Sequence, residues 1–341
     1  MDIVCLGELL IDMFPAEVGR RLVEVTAFHP KPGGAPANAA VAARRLGAQT
    51  AFVGKVGDDA FGHFLIDVLK REGVETRGMR LDAEARTTMA IIALVDAHTA
   101  EFVFYRNPGA DTRLRPDELD LDLLRATRAF HFGSLSLTDE PSRSATYAAV
   151  EAAREAGALI SYDVNYRPSL WRAPAEALEQ AMNMLPNANL LKINEIELAL
   201  LSGQERVDLS AGVERALPLL ETATKMLLAR GPELVVVTLG QYGSYFQTAG
   251  SDGVSGAYVP PFKVETVDSV GCGDAFIGAL LTRLVGGGAR GAWRDRLAPE
   301  SLRESLRYAN AAGALTATKV GVIPALPTAA EVEAFLKQHR H

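Results

Sequence analysis

Short apolar runs alternate with amphipathic stretches along most of this chain. The runs at 2–6, 51–56, 129–133, 158–164, 190–193 and 234–239 are bounded by glycine or polar residues. Runs this short predict buried strands. Between them, 3.6-residue periodicity predicts helices over 37–46, 59–72, 142–156, 174–185, 195–202 and 211–229. Pro36 suits a first helical position, and Gly47 and Gly73 stand where helix ends favour left-handed backbone. Asp59 is a natural N-cap. Strands spaced by helices of this length predict an α/β fold, with a mostly parallel central sheet flanked by helices on both faces. Ligands of such sheets bind at the C-terminal ends of the strands.

One stretch breaks the alternation. Thr87–Val95 and Glu101–Tyr105 read as two strands joined by a polar turn, Asp96 to Thr99. This hairpin is either a lid over the site or an antiparallel edge of the main sheet. No repeat or linker divides the chain, and Gly286–Gly288 reads as a surface loop after a helix, so residues 1–341 are expected to form one domain.

Composition narrows the function. The 341 residues are 48% hydrophobic and 23% charged, enough to bury a sizeable core. A net charge of -7 gives no basic footprint for nucleic acid. The two cysteines, Cys5 and Cys272, lack disulfide or zinc-ligand spacing, which fits a reducing compartment. No membrane-length apolar window or leader pattern is present. The expectation is a soluble, cytoplasmic protein acting on small molecules, without nucleic-acid or membrane partners.

The chemistry concentrates between Val264 and Phe276. An extended run meets Gly271-Cys272-Gly273-Asp274, and a helix follows with apolar residues at 276, 279, 280 and 284. Glycines let the backbone turn so that successive N–H groups face one cavity, and the helix start adds its own free amides. Such a hole suits a phosphoryl group in transfer, with Asp274 as proton acceptor beside it. A tight turn with an acidic helix start would share this pattern.

Asp268-Ser269-Val270-Gly271-Cys272-Gly273-Asp274 resembles the Asp-Thr-x-Gly-Ala-Gly-Asp signature of the ribokinase-like (PfkB) carbohydrate kinases. The resemblance runs from Val4 to about Phe335. Gly33-Gly34-Ala35-Pro36-Ala37-Asn38 resembles that family's sugar-binding turn, and Thr238-Leu239-Gly240-Gln241-Tyr242-Gly243 its phosphate-side loop. Asn194-Glu195-Ile196-Glu197 matches its Asn-x-x-Glu motif.

The resemblance implies a ribokinase-like fold with a small β-sheet lid, formed by about 13–32 and 86–106, that carries a homodimer contact. It implies Asp274 as the base and Gly271, Cys272 and Gly273 as the anion hole. Asp12, Gly33, Gly34 and Asn38 would hold the sugar. Asn194, Thr238, Gly240, Gly243, Gly273 and Asn310 would border ATP, and Glu197 would organise Mg²⁺ through water. Asp268, Val270 and Gly321 would form a monovalent cation site, with K⁺ as the ion. Asn194 and Glu197 also fit a plain capping box. Ser269 and Cys272 depart from the signature's Thr and Ala; Cys272 reads as a small buried side chain or as a reactive thiol.

Tyr105-Arg106-Asn107-Pro108-Gly109-Ala110-Asp111 resembles the fructokinases of that family, as does the run Asp163-Val164-Asn165-Tyr166-Arg167. This implies sugar contacts from Tyr105, Arg106, Asn107, Asn165 and Arg167, and fructose as acceptor. The two arginines also suit the carboxylate of 2-keto-3-deoxygluconate. A catalytically silent sugar- or nucleotide-binding relative is the reading from another class. A dinucleotide-dependent oxidoreductase is rejected, because Gly7-Glu8-Leu9-Leu10 lacks the glycines that fold needs after its first strand. The six histidines receive no role, and His339 and His341 are expected in a frayed tail.

Overall fold

The computed structural model describes residues 1–94, 100–250 and 253–339. In chain order the strands are β1 (Ile3–Leu6), β2 (Leu10–Pro15), β3 (Phe28–Gly33), β4 (Thr50–Gly57), β5 (Glu75–Asp82), β6 (Met89–Leu94), β7 (Ala100–Tyr105), β8 (Ala129–Gly133), β9 (Leu159–Asp163), β10 (Leu190–Asn194), β11 (Leu234–Thr238), β12 (Ser244–Gly250) and β13 (Gly253–Val259). The helices are α1 (Ala35–Arg45), α2 (Ala60–Arg71), α3 (Leu121–Arg125), α4 (Ser142–Glu155), α5 (Pro174–Met184), α6 (Glu195–Ser202), α7 (Val213–Leu228), α8 (Cys272–Val285), α9 (Pro299–Ala317) and α10 (Ala329–Gln338).

Among the described residues, nine strands form one sheet in the order β13-β12-β11-β10-β9-β8-β1-β4-β5. Pairing is parallel from β5 across to β11 and antiparallel for β12 and β13. One face packs on α1, α2, α8, α9 and α10, through Leu65, Ile277, Leu280, Leu306 and Val332. The other packs on α3 to α7, through Leu123, Ala149, Ala177, Leu198 and Leu220. The central strands are buried on both faces, so they read as unbroken apolar runs.

The hairpin of β6 and β7 lies outside this sheet. It joins β2 and β3 in a second sheet ordered β3-β2-β6-β7, where two antiparallel pairs meet along a parallel β2–β6 contact. The turn at Asp96 to Thr99 falls outside the described residues.

Several elements differ from the sequence expectation. β3 contains Pro30 and Pro32 and survives because it is an edge strand, where a missing N–H costs no ladder bond. β5 is a charged edge strand, Glu75-Thr76-Arg77-Gly78-Met79-Arg80, without an apolar run. The expected extended run at 264–270 is irregular loop, held by Val267 and Asp268 N–H bonds to the Ala317 carbonyl. His339 is not frayed: its ring centroid lies 4.2 Å from that of Phe335 and 5.7 Å from that of Phe262.

Candidate active site

The parallel strands β1, β8, β9, β10 and β11 finish along one edge, at Leu6, Gly133, Asp163, Asn194 and Thr238. The start of α8 faces this edge. Gly271, at φ 83°, precedes the helix in the left-handed region that glycine favours. A Cβ there would also fall 2.3 Å from Val322 Cγ1. The turn puts the amides of Cys272 and Gly273 in the first helical turn, with Asp274 behind them.

Asp274 accepts a hydrogen bond from Asn38 Nδ2 at 2.8 Å, which ties α8 to α1. Burial pushes its carboxyl up to about 6, and the Asn38 amide, Lys192 and Arg167 pull the other way. Desolvation dominates, yet a value of about 6 leaves the group mostly ionised near neutral pH. The other Asn38 amide atom, Oδ1, is buried without a partner. It is an acceptor left free for a ligand hydroxyl.

Asp12 follows from β2. Its Oδ2 would collide at 1.8 Å with any Cβ on Gly33, so Gly33 makes room for it. Gly34, at φ 109°, lies over the Glu8 carbonyl, where a Cβ would come within 2.3 Å. Burial pushes Asp12 up to about 8; Asp274 and Glu8 add to the rise and Arg167 opposes it. Burial likewise lifts Glu8 to about 7. Its Oε1 accepts from the Ala35 amide at 2.9 Å and its Oε2 has no partner. Three carboxyls thus share one cleft, and the Arg167 charge is felt by Asp12 and Asp274 alike.

Three of the expected sugar contacts, Arg106, Tyr105 and Asn107, have surroundings that sequence did not reveal. Arg106 is 6% exposed and its guanidinium is taken up by Asp111 Oδ2 (2.7 Å), Thr138 Oγ1 (2.8 Å) and the Leu135 carbonyl (2.8 Å). These bonds hold the root of the second sheet to the body. Tyr105 is 60% exposed on β7. Asn107 is exposed beside its cis bond to Pro108. Asn165 does turn at the mouth, at φ 41°, and Arg167 beyond it reaches over the Phe102 ring of the second sheet at 5.9 Å.

On the other side of α8, Asn194 and Glu197 form the capping box. Asn194 Oδ1 accepts from Ile196 and Glu197 amides at 2.9 and 2.8 Å, and Glu197 Oε2 accepts from the Asn194 amide at 2.9 Å. Glu197 Oε1 accepts from the Tyr166 amide at 2.7 Å, fixing the loop of Asn165 and Arg167. Thr238 sits opposite Asn194 in register. Gly240 and Gly243 shape the loop that follows, both at positive φ. Asn310 donates to the Val259 and Pro260 carbonyls and so braces the end of β13. Asp268 is 2% exposed, accepts from the Val270 and Gly321 amides at 3.0 and 2.9 Å, and has no cationic side-chain partner among the described residues. Burial pushes the Cys272 thiol up to about 12, which excludes a reactive thiolate near neutral pH.

Sequence reading missed Lys192. It lies in β10 at 6% exposure, with Nζ 2.9 and 3.1 Å from the two Asp163 oxygens. A Cβ on Gly273 would lie 3.2 Å from the same nitrogen. The available signal was a charged residue inside an otherwise apolar strand.

The chain matches the description pfkB family carbohydrate kinase over residues 1–329. A probable fructokinase-4 of Arabidopsis thaliana is 47% identical over 338 residues, covering 98% of this chain and 96% of that protein. A fructokinase from Xylella fastidiosa with bound ATP superposes with TM-score 0.84 at 32% identity, covering 100% of this chain and 99% of the other. A double-mutant fructokinase from Vibrio cholerae O395, solved with fructose, ADP and potassium ion, gives TM-score 0.82 at 31% identity over 98% of both chains. A match of that extent, on a cleft whose glycines and carboxyls are already in position, shows that this chain belongs to the pfkB family of carbohydrate kinases.

Proposed function

We propose that this chain transfers the γ-phosphoryl group of ATP to a hydroxymethyl oxygen of D-fructose, giving fructose 6-phosphate. The observation that carries the reading is the Asp274 carboxylate, in the first turn of α8 just after the Gly271 turn and aimed by Asn38. The curated relatives with 42–47% identity that bear the name fructokinase support the acceptor.

In the reaction, Asp274 takes the proton of the attacking hydroxyl as the new oxygen–phosphorus bond forms. The bond between the γ-phosphorus and the bridging oxygen breaks, and ADP leaves with that electron pair. Backbone amides at the head of α8 meet the charge that spreads over the phosphoryl oxygens. Asp12 and Asn38 Oδ1 fix the sugar hydroxyls, with Arg167 at the mouth. The second sheet, with residues 13–32 and 86–106, acts as a lid on a single domain spanning 1–341 and excludes water. A homodimer contact belongs to its outer face, where Val103 and Tyr105 are exposed.

The described residues hold no cluster of three carboxylates or imidazoles able to ligate a metal directly, so an ion in the cleft would be held through water. Glu197 would hold Mg²⁺ through water, and the ion would supply charge neutralisation on the ATP phosphates. Asp268, buried without a cationic side chain, fits a K⁺ site with the loops of Val270 and Gly321. The alternative acceptor 2-keto-3-deoxygluconate is not favoured, because the similar curated proteins bear the name fructokinase.

A coupled ADP-release assay across fructose, ribose, 2-keto-3-deoxygluconate and adenosine tests the proposal. Fructose is expected to give the highest kcat/KM. Turnover confined to another acceptor overturns the sugar assignment, and no sugar-dependent turnover overturns the kinase reading in favour of a silent relative.

A further inference from the structure

We propose that the Lys192 ammonium, aimed by Asp163, is a catalytic residue that contacts the phosphoryl group in flight. It adds positive charge beside the Gly271 and Gly273 amides; the Cys272 amide already donates to the Ser269 carbonyl at 3.3 Å. The inference rests on the phosphoryl-transfer reading above but not on which sugar is the acceptor.

Position is the first argument. Lys192 comes from the central strand β10, whose neighbours β9 and β11 clamp its backbone. Its nitrogen lies against Gly273, at the distance where a Cβ would begin to crowd it. Gly273 therefore admits the ammonium to the floor of the hole as well as shaping its backbone.

Valence is the second. An ammonium has three N–H donors. Both described hydrogen bonds of Lys192 Nζ run to Asp163, at 2.9 and 3.1 Å. That leaves a donor for an anionic oxygen arriving from the α8 side. Asp163 keeps the ammonium charged and fixes its direction.

Energetics supply the third. A buried lysine–carboxylate pair is a weak source of stability, because desolvation of both charges offsets their attraction. An apolar pair at the same place in a sheet core would serve the fold as well. Three carboxyls, Asp163, Glu197 and Asp274, surround this one ammonium. Its field reaches Asp274 together with those of Arg167 from the β9 loop and Asp163 from β9 itself. A point charge on a rigid strand is preorganised for charge that appears only in the transition state.

The test uses the full chain and whichever sugar the wild type phosphorylates. Lys192→Met, and Lys192→Met with Asp163→Asn to remove the orphaned carboxylate, are compared with wild type. Both are expected to lose about 10²–10³ in kcat, the range seen for loss of one transition-state donor, with the sugar KM within about threefold. Calorimetry is expected to show ADP affinity retained, while the tightening produced by ADP, aluminium fluoride and sugar together is lost. A folded double variant with kcat within tenfold of wild type overturns the proposal. Equal loss of affinity for ADP and for the mimic also overturns it, because that pattern marks a structural role. Should neither variant fold, ¹⁵N-lysine spectra of the wild type decide. The Lys192 ammonium signal, assigned by its loss in Lys192→Arg, is expected to shift with the mimic, and an unmoved signal overturns the contact. Absence of wild-type turnover on every sugar would instead sink the kinase reading itself.

Discussion

Asn38 Nδ2 donates to Asp274 Oδ2 across 2.8 Å, although 236 positions separate the two residues. The bond crosses from α1 to the first turn of α8, so α1 also orients the proposed base. Asp274→Asn keeps an acceptor for this bond and removes the proton acceptor. Its kcat is expected to fall at least ~10³-fold with the fold and the ATP KM preserved, by steady-state kinetics and circular dichroism. Turnover near wild type would remove Asp274 from the chemistry.

The same bond sets a pH limit. Burial raises Asp274 to about 6, so the proposed base is ionised above that value and kcat/KM is expected to fall as pH drops through it. Asn38 stabilises the ionised form. Asn38→Ala is therefore expected to move the acid limb upward by roughly one pH unit, in keeping with loss of one hydrogen bond to a charged group. An acid limb that stays in place would show that another group governs it.

The buried Asp12 carboxyl makes stability depend on pH. Its folded value of about 8 lies above that of an unfolded aspartate, so the native state binds more protons between roughly pH 4 and 8. Stability contributed at this position thus declines as pH rises through that window. Asp12→Asn is expected to gain about 1–2 kcal/mol at pH 8 and almost nothing at pH 4, by urea denaturation, while fructose binding is lost. Equal effects at both pH values would contradict the buried, proton-holding carboxyl.

Arg106 shows where motif reading stops. Its stretch, Tyr105 to Asp111, looks like a sugar contact because arginine and asparagine match hydroxyls, but sequence does not reveal burial. In the structure Arg106 answers Asp111 five residues away, at 2.7 Å, with both side chains nearly inaccessible. Arg106→Ala leaves Asp111 buried and uncompensated, at an expected cost of about 3–5 kcal/mol. Thermal melting is expected to register this loss while the sugar KM of the folded fraction changes little. A selective rise in sugar KM without a change in Tm would restore the direct contact.

Legibility followed the period of the pattern. β1, β4 and β8 to β11 are buried on both faces and announced themselves as apolar runs. β5, charged along one edge, and β3, with its prolines, had no such signature. Gly271 to Asp274 was readable because glycine spacing and an acidic helix start are local features. The Lys192–Asp163 pair was not, because it depends on Lys192 facing Asp163 across the β9–β10 register. A lysine at a buried strand position says only that a partner exists somewhere.

The second sheet is anchored to the anion hole by a small apolar cluster. Phe14, Ile92 and Val322 are buried together, with Phe102 and Val270 against them. Phe14 lies two residues beyond Asp12 on β2, and Val322 presses on Gly271. The strand that carries Asp12 therefore rests against the loops around Gly271. Loosening this contact is expected to let water reach the phosphoryl group without a sugar present. Phe14→Ala would open a cavity costing about 3–5 kcal/mol, so Phe14→Leu is the gentler partner variant. Both are expected to raise the ratio of sugar-independent ATP hydrolysis to sugar phosphorylation, by about tenfold for Ala and less for Leu, with the ATP KM nearly unchanged. If that ratio stays at the wild-type value in both, Phe14 serves only to fill space, and closure over the sugar is governed elsewhere in the lid.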